Sequence, residues 1–418
     1  MIEPTHNSGQ SKSSGPLAVS AAFLGWTIDS FDFFVVVMTL SAIAADFGVS
    51  RPQIALTLTA TLFMRPVGAF GFGLLADRYG RRPLLVANVL FYTIMEVASG
   101  FAPNYMTFFI LRMLYGIGMG GNWGVGASLA LETVPPKWRG TVSGLLQEGY
   151  SFGNLLAAIA YFTIFPVWGW RAMFFVGALP ALLTVALCLK VAEPEAWKEQ
   201  QTNDWGVYKA AVFGNMRRFG YMVLLMTMMT FISHGTQDMY PTYLQRQRGF
   251  NVSMTSIITS ISMIGAMMGG LVGGTLSNKL GRRRMIVIAL LLCVCVIPLW
   301  VGAPQTALVM AGAYLMQFMV QAAWGVIPAH LTELSPSQLR GIFPGLSYQI
   351  GVVLSSSVGW IESELGEHFS YTVSMGFLAA VVLLIGAVVV WIGPEAKNVS
   401  FRKEPAPAPE PEPVLSGK

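Results

Sequence analysis

Apolar stretches of about 20 residues recur from one end of this 418-residue chain to the other, each long enough to cross roughly 30 Å of hydrocarbon. They read as twelve spans, at 18–42, 54–76, 84–101, 106–131, 141–165, 172–191, 219–244, 255–277, 285–302, 306–330, 343–363 and 370–392. A soluble domain could not hide this material: 54% of the residues are hydrophobic, only 11% are charged and the mean hydropathy is +0.58, whereas single soluble cores stop growing beyond roughly 250–300 residues. The expected fold class is therefore an all-α membrane protein. The first stretch follows the polar segment 7–15 with no small-residue cleavage site behind it, so it reads as a retained helix rather than a signal peptide.

Lys and Arg fix the expected orientation, because cytoplasmic loops hold the excess. With both termini inside, 20 of the 26 basic residues fall in residues 1–17, the inner loops and the tail. The outer loops hold Arg51, Arg171, Arg246 and Arg248, and Arg65 and Arg112 lie within spans. The net charge of +5 then reflects topology in a cell membrane, not nucleic-acid binding, since no aromatics interleave with the basic residues. Cys188, Cys293 and Cys295 sit in apolar spans without metal-ligand spacing and predict neither disulfide nor metal. No catalytic elbow, phosphate loop or cofactor motif argues for an enzyme.

A constant offset of 201 residues aligns the two halves. Gly73-Leu-Leu-Ala-Asp77-Arg-Tyr-Gly80-Arg81-Arg82 matches Gly274-Thr-Leu-Ser-Asn278-Lys-Leu-Gly281-Arg282-Arg283, Glu132 through Gly140 matches Glu333 through Gly341, and Trp123-Gly124 falls on Trp324-Gly325. The G-x-x-x-D-x-x-G-R-R passage between spans two and three resembles the signature loop of the major facilitator superfamily, and it recurs where that family's second half would carry it. The resemblance implies the major facilitator fold: twelve transmembrane helices in two pseudo-symmetric six-helix halves, with the substrate site between them near the midplane. Expected boundaries are a cytoplasmic N-terminal segment 1–17, halves 18–192 and 219–392, a linker 193–218 and a disordered Pro/Glu-rich tail 393–418. The signature loops read as gating latches. Asp77 is expected to pair with Arg81 and Arg82 and to accept from a helix N-terminus, and Glu132 to pair with Arg139; Asn278, Arg282, Glu333 and Arg340 are their counterparts. Marking helix ends alone would explain the arginines but not the repeated spacing.

Ionisable side chains within spans are functional candidates. Span one holds Asp29 and Asp32, three apart on one helix face, a pair suited to sharing a proton. Arg65 in span two must face either a carboxylate substrate or these aspartates. Span seven carries Ser233-His234-Gly-Thr236-Gln237-Asp238-Met-Tyr-Pro-Thr242, with His234 and Asp238 one turn apart. This passage resembles the N-x-x-[ST]-H-x-[ST]-Q-D-x-x-x-T signature of the fungal lactate and short-chain carboxylate permeases, with Thr230 in place of the first Asn. That resemblance implies substrate roles for Arg65 and for Gln349 in Ser-Tyr-Gln-Ile-Gly. The Asp29-Ser-Phe-Asp32 passage is similar both to the related sialate:proton symporters and to the aromatic-acid:proton symporters. Glu148 reads as lining the pathway, Glu96 as snorkelling from the outer end of span three, Arg112 as either a proton relay or a packing anchor, and His6, His330 and His368 as solvated or structural.

These residues together lead to the expectation of a proton-coupled symporter of a small monocarboxylate of the lactate, pyruvate or acetate type, functional as a monomer. Arg65, Gln349, His234, Gln147 and Tyr348 would serve the substrate, and Asp29, Asp32, His234, Asp238 and Glu148 the proton. The alternatives are a symporter of aromatic acids or sialate, or a drug/proton antiporter, which would not call for a midplane arginine.

Overall fold

The computed structural model describes residues 9–201, 204–397 and 399–401. His6 and the tail beyond residue 401 lie outside the described residues. Twelve membrane-length segments run in chain order: α1 (Gly9–Phe47), α2 (Arg51–Tyr79), α3 (Arg81–Gly100), α4 (Tyr105–Thr133), α5 (Arg139–Thr163) and α6 (Phe165–Lys190) form one half. The other half comprises α7 (Met216–Gln237, continued by Tyr240–Arg246), α8 (Val252–Leu280), α9 (Arg282–Gly302), α10 (Thr306–Trp324, continued by Ile327–Leu334), α11 (Ile342–Leu354 and Val358–His368) and α12 (Tyr371–Ile392). By length and composition eight of them could each cross a membrane unaided. The remaining four are α4, α5, α7 and α11, whose interiors carry the glycines, polar groups and breaks described below.

Helices in lipid pack through small residues that let backbones approach, and the repeat preserves those approaches. A Cβ on Gly68 of α2 would strike the Ile117 carbonyl of α4, and a Cβ on Gly269 of α8 would strike the Phe318 carbonyl of α10, each residue displaced by 201. The turns after α2 and α8 are likewise copies, with Gly80 at φ 117° and Gly281 at φ 99°, where a side chain would be strained.

Both described chain ends lie on one face of the bundle, here termed the terminal face. Gly15 sits against Thr133 and Val134, and Phe401 lies on Arg139 and Arg340. The linker is not bare coil: it holds short helices at Glu195–Lys198 and Trp205–Gly214. The first helix begins at Gly9, within the segment 1–17. One expectation is corrected: residues 393–397 and 399–401, assigned to a disordered tail, are ordered against the bundle, where Glu395 caps α9 by accepting from the Arg282 and Arg283 N–H groups at 3.0 and 3.2 Å.

Candidate functional site

The latch joins the two halves at the terminal face. Asp77, at the end of α2, accepts from the N–H groups of Gly341 (2.6 Å) and Ile342 (3.0 Å), which open α11 of the opposite half. Its counterpart Asn278 accepts from Gly140 N–H, at the start of α5, at 2.9 Å. A carboxylate, or an amide oxygen, thus fills unsatisfied donors at a helix N-terminus where the dipole favours negative charge. Arg81 bridges Asp77 and Glu132, and Arg282 holds Glu333 with bonds of 2.9 and 3.1 Å. Arg139 reaches Glu333 at 3.7 Å, so the expected Glu132–Arg139 pair is replaced by two pairs that the offset relates, Arg81–Glu132 and Arg282–Glu333, and a bridge between halves. Arg82 turns away to the Leu189 carbonyl at 2.8 Å. The Arg340 carbonyl accepts from Ser128 of the other half, while burial lowers the pKa of the Arg340 guanidinium, opposed by nearby Glu132. Among the described residues, every hydrogen bond between halves lies toward the terminal face.

Beyond the latch, near the middle of α2, Arg65 is 4% exposed. Its Nε and Nη2 are buried without a hydrogen-bond partner, and it forms no ion pair among the described residues. Asp29 is within electrostatic reach but not paired with it. The guanidinium stands 5.7 Å from the centroid of the Tyr348 ring. Around Tyr348 gather Trp123 (4.8 Å), Trp324 (5.9 Å) and Trp26 (6.4 Å), and the indole N–H groups of Trp26 and Trp324 are buried and unpartnered. Both amide atoms of Gln349 and the carbonyl oxygen of Gln147 are unpartnered as well. A buried charge without a partner is costly, and the ring beside it is flanked by unpartnered indole donors from both halves, Trp26 and Trp324. This arrangement suits a small anion. The three tryptophans were not among the expected site residues. The signal for them was present, since Trp123 and Trp324 are repeat counterparts.

The acids of α1 occupy a different environment. Asp29 accepts from Asn122 at 2.8 Å, and Asp32 lies within electrostatic reach of Glu96, Arg112 and Asp29. Gly177 of α6 makes room for it, since a Cβ there would strike Asp32 Oδ1. Arg112 is ion-paired with Glu96, donates to Ser99 at 3.0 Å and lies 4.3 Å from the Tyr115 centroid. Glu96 is 1% exposed, which overturns its reading as a snorkelling residue. The cluster is internal to the first half, between α1, α3, α4 and α6.

On α7, His234 Nδ1 and Asp238 Oδ2 are 3.1 Å apart, each side chain close to half exposed. The pair expected from the one-turn spacing thus forms, but at a half-exposed position rather than a buried one. Gln237 and Thr236 are tied to Gln317 of α10 at 2.7 and 3.2 Å, and the Thr230 hydroxyl is spent on the Met226 carbonyl. Glu362 of α11 was missed. It is 1% exposed, neither oxygen has a partner, and it faces Gly235 of α7 within electrostatic reach of Asp238. Glu148 is tucked against Gly270 of α8. His330 is fully buried with both ring nitrogens unpartnered, not solvated, whereas His368 is exposed beside Glu364 at 3.6 Å.

Comparisons with known proteins agree with this architecture. The sequence profile of the Major Facilitator Superfamily matches residues 21–359 and 239–416. The chain is 26% identical to the sialic acid transporter NanX of Escherichia coli over 88% of this chain and 93% of that one. It is 27% identical to a carboxylic acid transporter protein homolog of Saccharomyces cerevisiae over 89% and 67%. Among solved structures, the E. coli fucose:proton symporter FucP superposes with a TM-score of 0.74 at 10% identity, covering 90% of this chain and 98% of FucP. The proton:xylose symporter XylE gives 0.72 at 19%, covering 92% and 97%. The chain belongs to the Major Facilitator Superfamily, and it is a multi-pass membrane secondary transporter, not an enzyme.

Proposed function

We propose that this transporter carries a small monocarboxylate together with a proton by alternating access, as a monomer in the cell membrane with its terminal face in the cytoplasm. The observation that carries the reading is the buried, unpartnered guanidinium of Arg65 against the Tyr348 ring, which is itself flanked by the unpartnered indole N–H groups of Trp26 and Trp324. A carboxylate entering there meets donors from both halves, with Tyr348 as platform; Gln147 and Gln349 are assigned to the same substrate. An organic cation would meet an unpaired positive charge, which disfavours the antiporter reading. The relatives named for sialic acid and carboxylic acids transport acids, in keeping with this site.

Coupling follows from charge. Closing both gates over an anion and ionised side chains costs desolvation, whereas a protonated, paired site occludes more cheaply. Two groups are placed to take the proton: the Asp29/Asp32 cluster with Glu96 and Arg112, and the His234/Asp238 pair with Glu362. Which titrates is a property of the coupled set. With the two halves bonded at the terminal face, substrate would reach the site from the opposite face in this conformation.

One observation favours a second reading of the substrate. Three indoles around Tyr348 offer flat surfaces, which suits a planar unsaturated or aromatic acid, and one relative is named a cis,cis-muconate transport protein. Competition separates the two. Purified protein in liposomes is loaded with radiolabelled L-lactate against pyruvate, acetate, benzoate and sialate. Displacement by pyruvate and acetate supports the monocarboxylate; uptake of labelled benzoate with lactate ignored supports the planar acid; uptake of an organic cation alone rejects both.

A further inference from the structure

The two repeat copies of one latch arginine, Arg139 and Arg340, face each other across the join between halves, and a single aromatic ring lies between them. Phe401 is 3.4 Å from the Arg139 guanidinium and 4.0 Å from that of Arg340, measured to the ring centroid. The ring is 3% exposed and packs with Val19, Ala127, Ala130, Leu131, Leu146 and Ala196 of the first half and the linker. The backbone on either side is held as well. Arg139 donates to the Val399 carbonyl at 2.6 Å, and Gln200 of the linker donates to the Phe401 carbonyl at 2.8 Å. Glu395 anchors the start of the segment on α9, in the second half. The chain after α12 therefore leaves one half, crosses the latch and buries its ring against the other.

We propose that Phe401 is a gating residue, a pin that the chain's own C-terminal segment inserts between Arg139 and Arg340 to hold the terminal face closed. The proposal rests on the alternating-access reading, because only a transporter that opens this face has reason to pin it. Two like-charged guanidiniums brought together at a closed gate repel each other; a ring between them offers each a π face and excludes water from the bridge to Glu333. When the halves part at this face, Arg139 moves with α5 and Arg340 with α11. The ring cannot stay on both, so each transport cycle withdraws it. Glu395 stays on α9, which keeps the pin tethered near its slot.

The test uses the full-length protein in lipid nanodiscs, with the native cysteines replaced by alanine and spin labels at Lys137→Cys and Lys279→Cys. These residues line one cleft from opposite halves. Electron–electron distance distributions give the ratio of closed to open terminal face without any substrate, so the result stands apart from whether the carboxylate assignment holds. Phe401→Ala is expected to raise the open fraction relative to closed by on the order of tenfold, from loss of the buried ring. Phe401→Leu keeps apolar volume and removes the π face, and is expected to give a smaller shift in the same direction. It also carries the test if the alanine variant does not yield folded protein. Distributions for both variants that superpose on the parent, or a parent with no closed population, overturn the proposal.

Discussion

Replacing Asp77 by Asn isolates what the carboxylate adds to the latch. In the parent, one oxygen accepts from Gly341 and the other from Ile342, and the charge pairs with Arg81. The amide offers a single acceptor, so one buried N–H of α11 loses its partner and the surviving bond is no longer charge-assisted. A charge-assisted bond is worth about 1.5–3 kcal/mol and an unmet buried donor costs about 1–3 kcal/mol. Allowing for relaxation and water entry at an opening gate, the closed state should weaken by roughly 2–4 kcal/mol, a shift on the order of 30- to 700-fold at about 1.4 kcal/mol per decade. Asn278 shows that an amide still latches, accepting from Gly140 and Arg282 at 2.9 and 3.1 Å, so closure should weaken rather than vanish. The Lys137/Lys279 label pair reads the outcome as a growing long-distance population. An Asp77→Asn distribution identical to the parent's would refute the claim that this carboxylate holds the gate.

Two further outcomes follow from buried charges. Glu96→Ala leaves the Arg112 guanidinium buried with only Ser99 as hydrogen-bond partner, at a cost of about 3–5 kcal/mol; the apparent Tm in detergent should fall, and adding Arg112→Met should recover most of it. An unchanged Tm for Glu96→Ala contradicts the assignment of that pair. Glu362→Gln keeps the size of the side chain and removes its capacity to carry a proton. Substrate counterflow should persist while gradient-driven accumulation drops at least about tenfold, and accumulation at the parental level excludes Glu362 from the proton route.

The fold was legible because its marks are local. The glycines, Asp77 and arginines of the signature loop stand at spacings set by a helix end and a tight turn, and their copies at 201 residues carry the same constraint, so the bonding of Asp77 and Asn278 to helix N-termini was readable. Pairings between helices were not. Glu96 and Arg112 lie on α3 and α4, and nothing in either span says that they meet. His234 and Asp238 share one helix, and their pairing was readable, but their exposure depends on how the two halves part. In the sequence Trp123 and Trp324 read only as repeat counterparts and Trp26 has no role, because an indole suits a lipid-buried span equally well; their convergence on Tyr348 appears only in the structure. Glu362 lies at the edge of the predicted span 343–363, and nothing in the sequence sets it apart from a residue at a helix end. Phe401 was concealed by composition, since the Pro/Glu run just beyond it marks a chain unable to bury surface, whereas the single aromatic before that run finds a slot that the latch arginines create.

The most direct test of the central claim is accumulation of the carboxylate identified by competition into proteoliposomes under an imposed inward proton gradient, comparing the parent with Arg65→Ala and Arg65→Lys. Losing one partner of a buried charge-assisted pair costs about 2–5 kcal/mol, so Arg65→Ala should lower uptake efficiency at least about thirtyfold. Lysine, which lacks the planar fork, should restore only part of it. Accumulation in the parent that depends on the gradient and is lost in Arg65→Ala is the predicted result; uptake that ignores the gradient, or survives intact without the guanidinium, contradicts the account.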